Sequence, residues 1–229
     1  MSPAHFAVNF FVALFALIDP VGSAPLFAAA TADAPSAGRR LTAFYIAIFS
    51  FVFMVFFFVT GVALLRFFGI SLAAFRIAGG VLLFLVGLDM ARGDLASKLA
   101  SADSEVAGLS ARAYARLGFE RLVVPFAMPL LIGPGAISTA VIYAGEAGRL
   151  GWVGEAAGVG ALFAISLSIL ASFWFAGLIT RLLGHTGTII VVRVLGLILC
   201  ALAVQFIIVG VAESTIGLLR PSAAMPYPK

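Results

Sequence analysis

A single carboxylate, Asp19, offers the first chemistry in this chain, because it lies about thirteen residues into an apolar segment. At a rise of 1.5 Å per residue, the side chain stands roughly 20 Å from the start of that segment. An ionisable group so deep in a bilayer costs about 2.5–3.5 kcal/mol on insertion scales and is a functional candidate by default. It can bind a substrate ammonium group, bind a cation or accept a proton. The structural alternative is that Asp19 caps a half-helix that starts near Ser23.

A second candidate site combines bare backbone at Gly133, Pro134 and Gly135 with the hydroxyls of Ser138 and Thr139. If a half-helix begins near Gly135, its first N–H groups are unpaired and its dipole is positive there. Helix starts of this kind hold carboxylates or phosphates. The two hydroxyls can donate further hydrogen bonds, and the alternative is that they assist helix packing alone. This pattern predicts a site for an anionic group.

Both candidate sites coincide with interruptions of apolar segments by proline and glycine, at residues 19–25 and 129–135. Proline removes a backbone donor and glycine lets the chain leave helical geometry. Lipid cannot satisfy the freed groups, so a break must face protein or a water-filled cavity. We therefore expect Pro20, Gly22 and Ser23 to bind substrate together with Asp19. Kinks that only improve packing are the alternative.

The segments that position these sites belong to a membrane protein. Of the 229 residues, 63% are hydrophobic and only 10% are charged, whereas soluble domains are about 45–50% apolar and about 25% charged. The composition predicts an all-α, multi-spanning fold in one integral membrane domain, residues 1–229. Six transmembrane segments are predicted: Phe6–Ala30, Thr42–Arg66, Ser71–Ala91, Leu122–Tyr143, Trp152–Arg181 and Ile189–Gly217.

Other functional classes are disfavoured by the same composition. The 14 basic residues are scattered between apolar segments, so they form no face for nucleic acid. His5, His185 and Cys200 stand far apart, which predicts neither a metal site nor a cofactor. The chain also lacks a paired-acid motif that would use Asp19 with Asp89. We therefore predict no enzymatic activity and no catalytic residue.

An internal repeat is indicated by patterns that recur at a nearly constant distance. Pro134 follows Pro20 by 114 positions, and an R-x-x-G pattern that ends at Gly69 recurs 115 positions later at Gly184. The interpretation is two three-helix repeats, residues 1–91 and 122–217, joined by a polar cytoplasmic loop at 92–121. An odd number of helices per repeat inverts the second in the membrane. Inverted repeats whose helices 1 and 4 are broken in mid-membrane are typical of transporters.

Two arginines also repeat, since Arg193 follows Arg76 by 117 positions. Each begins a predicted span, near opposite faces of the membrane if the repeats are inverted. They can gate the pathway or pair with Asp19, Asp89 or a substrate carboxylate. The alternative is that each guanidinium reaches the interface along its apolar stem.

Orientation follows from the basic residues between the spans, which favour the cytoplasmic side. With an outside N-terminus, the inner connections carry eight of them: Arg39, Arg40, Arg92, Lys98, Arg112, Arg116, Arg121 and Arg181. The outer side carries four: Arg66, Arg149, Arg220 and Lys229. This asymmetry predicts a multi-pass protein with both termini on the outer side of the membrane.

Three stretches, residues 18–25, 68–80 and 128–139, closely resemble the MarC-type integral membrane proteins. The resemblance spans nearly the whole chain. It implies six transmembrane helices and membership of a wider group of amino-acid and ion exporters that includes the lysine-exporter type. It also implies transport of small neutral amino acids, because a member similar to this chain has been described with that activity.

Together the residues and the resemblance predict a secondary transporter of small neutral amino acids such as alanine or glycine. The substrate carboxylate is expected near Gly135 and the ammonium group near Asp19, with alternating access around the two breaks and proton coupling through Asp19. Membrane lipid and a second copy of the chain are the other expected partners. A cation or metal-ion exporter or channel, and a small-drug efflux protein, are the alternatives.

Overall fold

The computed structural model describes residues 2–31, 34–93, 110–122 and 131–215, which form α-helices and turns without a strand in these ranges. The all-α class is therefore confirmed. The described helices are α1 Pro3–Ile18, α2 Pro20–Ala30, α3 Ser36–Phe67, α4 Leu72–Arg92, α5 Ala111–Leu122, α6 Pro134–Arg149, α7 Trp152–Trp174 and α8 Ala176–Ser214.

Helix ends fall where local sequence signals place them. The Ser71 hydroxyl caps α4 by accepting the Ala74 N–H at 3.1 Å. Gly69 has φ +67 and makes the turn between α3 and α4, and Gly184 has φ +65 and kinks α8. Glycine adopts the left-handed conformation without steric cost. The glycine of each R-x-x-G copy therefore lies where the chain turns or the helix kinks.

Within the described ranges, five stretches are long and apolar enough to cross a membrane: Pro3–Ala30, Ser36–Phe67, Leu72–Arg92, Trp152–Leu178 and Thr186–Ser214. The multi-pass character is therefore confirmed. The remaining predicted segment, Leu122–Tyr143, falls partly on residues 123–130, which lie outside the described residues; its later part is in α6.

The predicted polar loop at 92–121 contains α5, and its residues 94–109 lie outside the described ranges. Helix α5 packs along α3 in the same direction. The Tyr114 ring is 2% exposed and lies against Gly38, and the Phe119 ring meets Tyr45 and Phe49 edge-on. The chain thus begins to return along the bundle before Pro134.

The two tryptophans of the chain mark the two ends of the bundle. They stand at the first and last residues of α7 and are exposed, at 79% for Trp152 and 45% for Trp174. The Arg40 guanidinium lies 4.9 Å from the Trp174 ring. At 1.5 Å per residue α7 is about 33 Å long, which matches a hydrocarbon core of about 30 Å. Tryptophans are enriched at both membrane interfaces, so we refer to the Trp152 end and the Trp174 end.

Helices α4 and α8 form an antiparallel pair with a very close approach. A Cβ added at Gly80 would lie 2.8 Å from the Ala203 carbonyl oxygen, and one at Gly87 would lie 2.8 Å from that of Gly196. One at Gly210 would lie 2.8 Å from the carbonyl oxygen of Ala73. Small residues allow such backbone contact between membrane helices. Helix α4 is thereby held against α8 along most of the length of α4.

Candidate functional site

The first helix break occurs at Asp19, between the end of α1 at Ile18 and the start of α2 at Pro20. Asp19 has φ 42 and ψ 66 and is the one described residue other than glycine with a positive φ. Aspartate tolerates this left-handed conformation better than most residues. The helix is therefore interrupted where the sequence predicts a break.

The first break is closed by its own side chains. Oδ1 of Asp19 accepts a hydrogen bond from the Gly22 N–H at 3.0 Å, and the Ser23 hydroxyl donates to the Asp19 carbonyl oxygen at 2.9 Å. Gly22 is needed because a Cβ there would collide with the Asp19 carboxylate. Asp19 thus occupies the start of α2, as its structural alternative predicted, while its side chain also remains exposed.

The second break has no such closure. Helix α6 starts at Pro134 after Gly133, whose φ −71 and ψ 169 are extended, and no side chain caps the helix. The first helical bond joins the Ile137 N–H to the Gly133 carbonyl oxygen at 3.1 Å. The Phe206 ring packs against Gly135, so a Cβ there would collide with it. The N–H groups that precede Ile137 have no partner within the helix.

The two breaks open onto the same part of α8. A cleft of about 40 Å³ is lined by Asp19, Gly22 and Ser23, among others, and a cleft of about 10 Å³ is lined by Gly133 and Gly135. Both are also lined by three shared leucines: Leu17, Leu199 and Leu202. The smaller cleft has room for about one water molecule and the larger for a few. Both clefts are therefore too narrow for an amino acid in this structure.

The two breaks also lie at a similar height in the bundle. The Phe27 ring stacks on Phe173 at 4.4 Å, next to the Trp174 end, and Asp19 lies eight residues earlier, or about 12 Å away along the helix. Pro134 lies thirteen residues before Ala147, which packs under Gly154 near the Trp152 end, or about 20 Å away. Asp19 is then about 14 Å and Pro134 about 10 Å from the Trp174 end of α7, which is about 33 Å long, so both breaks lie inside the bundle within a few ångström of one height.

Two sets of hydroxyl groups stand out among the described residues. Nine donate to the carbonyl oxygen four residues earlier: Ser23, Thr31, Thr42, Thr60, Ser166, Ser168, Thr188, Ser214 and Thr215. The hydroxyls of Ser50 and Ser138 are buried, with each residue 1% exposed, and have no hydrogen-bond partner in the described structure. Thr139 is half-buried beside Ser138. Ser138 lies one turn after Gly135 on the same helix face.

The other predicted charged residues lie near the ends of the bundle. Arg76 forms an ion pair with Glu213 that joins α4 to α8, so its charge partner is neither Asp19 nor Asp89. The Arg193 guanidinium lies against Gly93, at the C-terminal cap of α4. Asp89 is half-buried one turn before that cap. No group of three His, Cys, Asp or Glu residues that could hold a metal ion occurs in the described ranges.

The family of this chain follows from comparison with known proteins. The family model described as "MarC family integral membrane protein" matches residues 4–215. The chain belongs to the MarC family. The predicted resemblance is thus confirmed.

Relatives of this MarC-family protein match along almost their full length. A "UPF0056 membrane protein" of Aquifex aeolicus is 32% identical over 89% of this chain and 91% of its own. One of Methanocaldococcus jannaschii is 34% identical over 88% and 93%. The UPF0056 membrane protein YhcE of Escherichia coli is 32% identical over 95% and 96%. These names state a membrane protein and no substrate, and no solved structure matches.

Ser50 is a polar residue of this MarC-family chain that the sequence alone did not identify as part of a site. Ser50 lies inside the long apolar run of α3, between Thr42 and Thr60. Its sequence signal is position, because Ser166 follows it by 116 residues, within the range of the other repeat offsets. Only the structure distinguishes the two, since Ser166 donates to Leu162 and Ser50 donates to nothing described.

Proposed function

We propose that this protein is a secondary transporter of small neutral amino acids, of the size of alanine or glycine, in the inner membrane of a bacterium. The observation that carries the proposal is the pair of helix breaks at a similar height inside the bundle, which open onto the same α8 segment. One break is capped by a carboxylate of the chain and the other lacks a side-chain cap. Transport sites near mid-membrane are typically formed by discontinuous helices of this kind.

The substrate carboxylate fits the start of α6. The chain supplies its own example, because the Asp19 carboxylate accepts the Gly22 N–H at the start of α2. Gly133, 114 positions after Asp19, has no side chain for that purpose. A free carboxylate can therefore take the equivalent place and accept hydrogen bonds from the N–H groups of Gly135 and Ala136. The helix dipole favours a negative charge at this position.

The remaining polar groups near the two breaks would bind the other parts of the zwitterionic amino acid. The ammonium group would meet Asp19 and the carbonyl groups freed near Pro20, and the hydroxyls of Ser138 and Thr139 would bond the carboxylate. The leucines common to both clefts set an apolar wall. A small uncharged side chain suits such a wall, because a second charge on the substrate would have no described partner there.

Two inverted three-helix repeats are supported by paired features of the two halves. Gly69 and Gly184 have φ +67 and +65 at the predicted offset. Arg76 meets the last turn of α8 through Glu213, and Arg193 meets the C-terminal cap of α4. A cation at a helix C-terminus is favourable, so each arginine plays the same role in the opposite direction.

Orientation is proposed from the charges at the two ends. Arg39 and Arg40 precede the spanning part of α3 at the Trp174 end, where Arg39 donates to the Thr31 carbonyl oxygen at 3.2 and 3.0 Å. Basic residues favour the cytoplasmic side, so the Trp174 end faces the cytoplasm. The start of α1 and the end of α8 then face the periplasm. Alternating access would widen the two small clefts toward the cytoplasm and toward the periplasm in turn.

Uptake of radiolabelled L-alanine into proteoliposomes tests the proposal. We expect saturable uptake of L-alanine that an excess of glycine reduces and an excess of L-lysine does not. Ion flux without amino-acid flux would contradict it and favour the cation exporter. Asp19→Asn tests proton coupling, because the variant should lose the dependence of flux on a pH gradient. An unchanged dependence would exclude Asp19 as the coupling site.

A further inference from the structure

Ser50 lies in the core of the bundle with an unused hydroxyl. It belongs to the buried stripe of α3 that also contains Met54 and Phe58. The residue is 1% exposed, and its Oγ has no hydrogen-bond partner in the described structure. A buried hydroxyl without a partner loses its bonds to water and gains none in return, which destabilises the fold. Such a group therefore needs a physical reason.

The height of Ser50 in the bundle provides that reason. The rings of Phe10 in α1 and Phe58 in α3 stack at 5.6 Å, and the two helices run in opposite directions. Eight residues along α1 lead from Phe10 to Ile18, and eight residues back along α3 lead from Phe58 to Ser50. Equal steps of 1.5 Å per residue place Ser50 level with Ile18, at the first break. Ile18 itself lines the larger cleft.

The serine at the repeat offset shows that a buried position in a long helix does not by itself leave a hydroxyl unused. Ser166 also lies in the buried stripe of a long spanning helix, α7. Its hydroxyl donates to the Leu162 carbonyl oxygen at 3.0 Å, which is the usual arrangement for serine in a membrane helix. Ser50 has the same local option in α3 and does not use it.

We propose that Ser50 is a substrate contact of the transport site, and that Ser50 and Ser138 lack protein partners because the polar groups of the substrate supply them. This inference rests on the proposed transport function. Neither small cleft is lined by α3 in this structure, so the proposal adds α3 to the two broken helices and α8 as a further wall when the clefts widen. The cost of two unused hydroxyls is offset when substrate binds, which favours binding of a polar molecule over an apolar one.

The first experiment compares Ser50→Ala, Ser138→Ala and Ser166→Ala in purified protein and in proteoliposomes. We expect each of the first two to raise the Tm of the substrate-free protein by about 2–4 °C, because an unpaired buried hydroxyl is removed. Each should lower L-alanine uptake about tenfold, the effect of one lost hydrogen bond. Ser166→Ala is the matched control and should leave uptake within about twofold. Unchanged uptake by Ser50→Ala would overturn the inference.

A second experiment needs no knowledge of the substrate. In a Cys200→Ser background, Ser50→Cys should react with a hydrophilic methanethiosulfonate reagent when the pathway opens, because thiols react as thiolates in water. Val59→Cys is the control, since Val59 lies on the same helix and is 70% exposed on its outer face. Labelling of Ser50→Cys, with no alanine flux in the Cys200→Ser parent, would retain the site and reject the proposed substrate. Alanine flux with no labelling would reject the site and retain the transporter.

Discussion

The two helix breaks use the same backbone devices and end in opposite chemical states. At the first, a proline follows Asp19, whose carboxylate and carbonyl oxygen accept bonds from Gly22 and Ser23. At the second, a proline follows Gly133, the helix start has no side-chain cap, and the nearby Ser138 hydroxyl is unpaired. A break whose polar groups are satisfied internally is a structural element. A break whose polar groups are left unsatisfied in a buried place has a free-energy reason to bind a ligand.

The largest effect is expected when the second break is given the chemistry of the first. Gly133→Asp places a carboxylate where it can cap Ala136, and φ −71 accommodates a side chain without backbone strain. This internal anion should exclude the substrate carboxylate and lower L-alanine uptake about 100-fold, or about 2.7 kcal/mol. Uptake in proteoliposomes measures the effect.

The control for that substitution is Gly133→Asn, which has the same size and no charge. It should lower uptake less than Gly133→Asp, because an amide oxygen caps a helix without the favourable charge–dipole term. Equal losses for the two variants would mean that side-chain bulk matters rather than anion exclusion. Wild-type uptake by both variants would remove the second break from the substrate site.

The next effect concerns stability at the first break. Asp19→Ala removes the cap of α2 and leaves an alanine at φ 42. Loss of the cap costs about 1 kcal/mol and the left-handed backbone about 1–2 kcal/mol. The free energy of unfolding in detergent should therefore fall by about 2–3 kcal/mol. Asp19→Asn is the control and should lose less than about 1 kcal/mol, because asparagine tolerates both roles.

The smallest effect tests the frame that both breaks share. A Cβ at Gly80 would press on the Ala203 carbonyl oxygen at 2.8 Å, so Gly80→Ala forces α4 and α8 apart. Such overpacking costs about 1–3 kcal/mol. Gly160→Ala is the matched control, because a Cβ there meets nothing within 4 Å, and it should be neutral or stabilising. Thermal unfolding of the two variants distinguishes them, and equal Tm values would contradict the close contact.

The backbone features of the site could be predicted from sequence because proline and glycine act locally. Pro20 and Pro134 each begin a helix, and the repeated glycines Gly69 and Gly184 both have a positive φ. These conformations depend on the residue and its immediate neighbours. The family could be predicted for the same reason, because the motifs that resemble the MarC family coincide with these local signals.

Side-chain partners could not be predicted because they depend on how distant helices pack. Glu213 meets Arg76 only through the register of α4 against α8, 137 positions apart. Ser50 and Ser166 look alike in sequence, and only the surrounding helices decide which one bonds to its own backbone. The packing of α5 along α3 could not be predicted either, because it depends on a contact between Tyr114 and Gly38, which are far apart in sequence.

The tryptophans at the two ends of α7 set a preferred thickness for the surrounding lipid. Their spacing of about 33 Å is slightly above an average hydrocarbon core, and both lie on one rigid helix that also packs against α1, α2 and α3. A thinner bilayer must therefore tilt this helix or stretch around it, at a cost of fractions of a kcal/mol per ångström. The tilt would be passed to the helices that α7 contacts, so under the proposed alternating access acyl-chain length would change how easily the two clefts open.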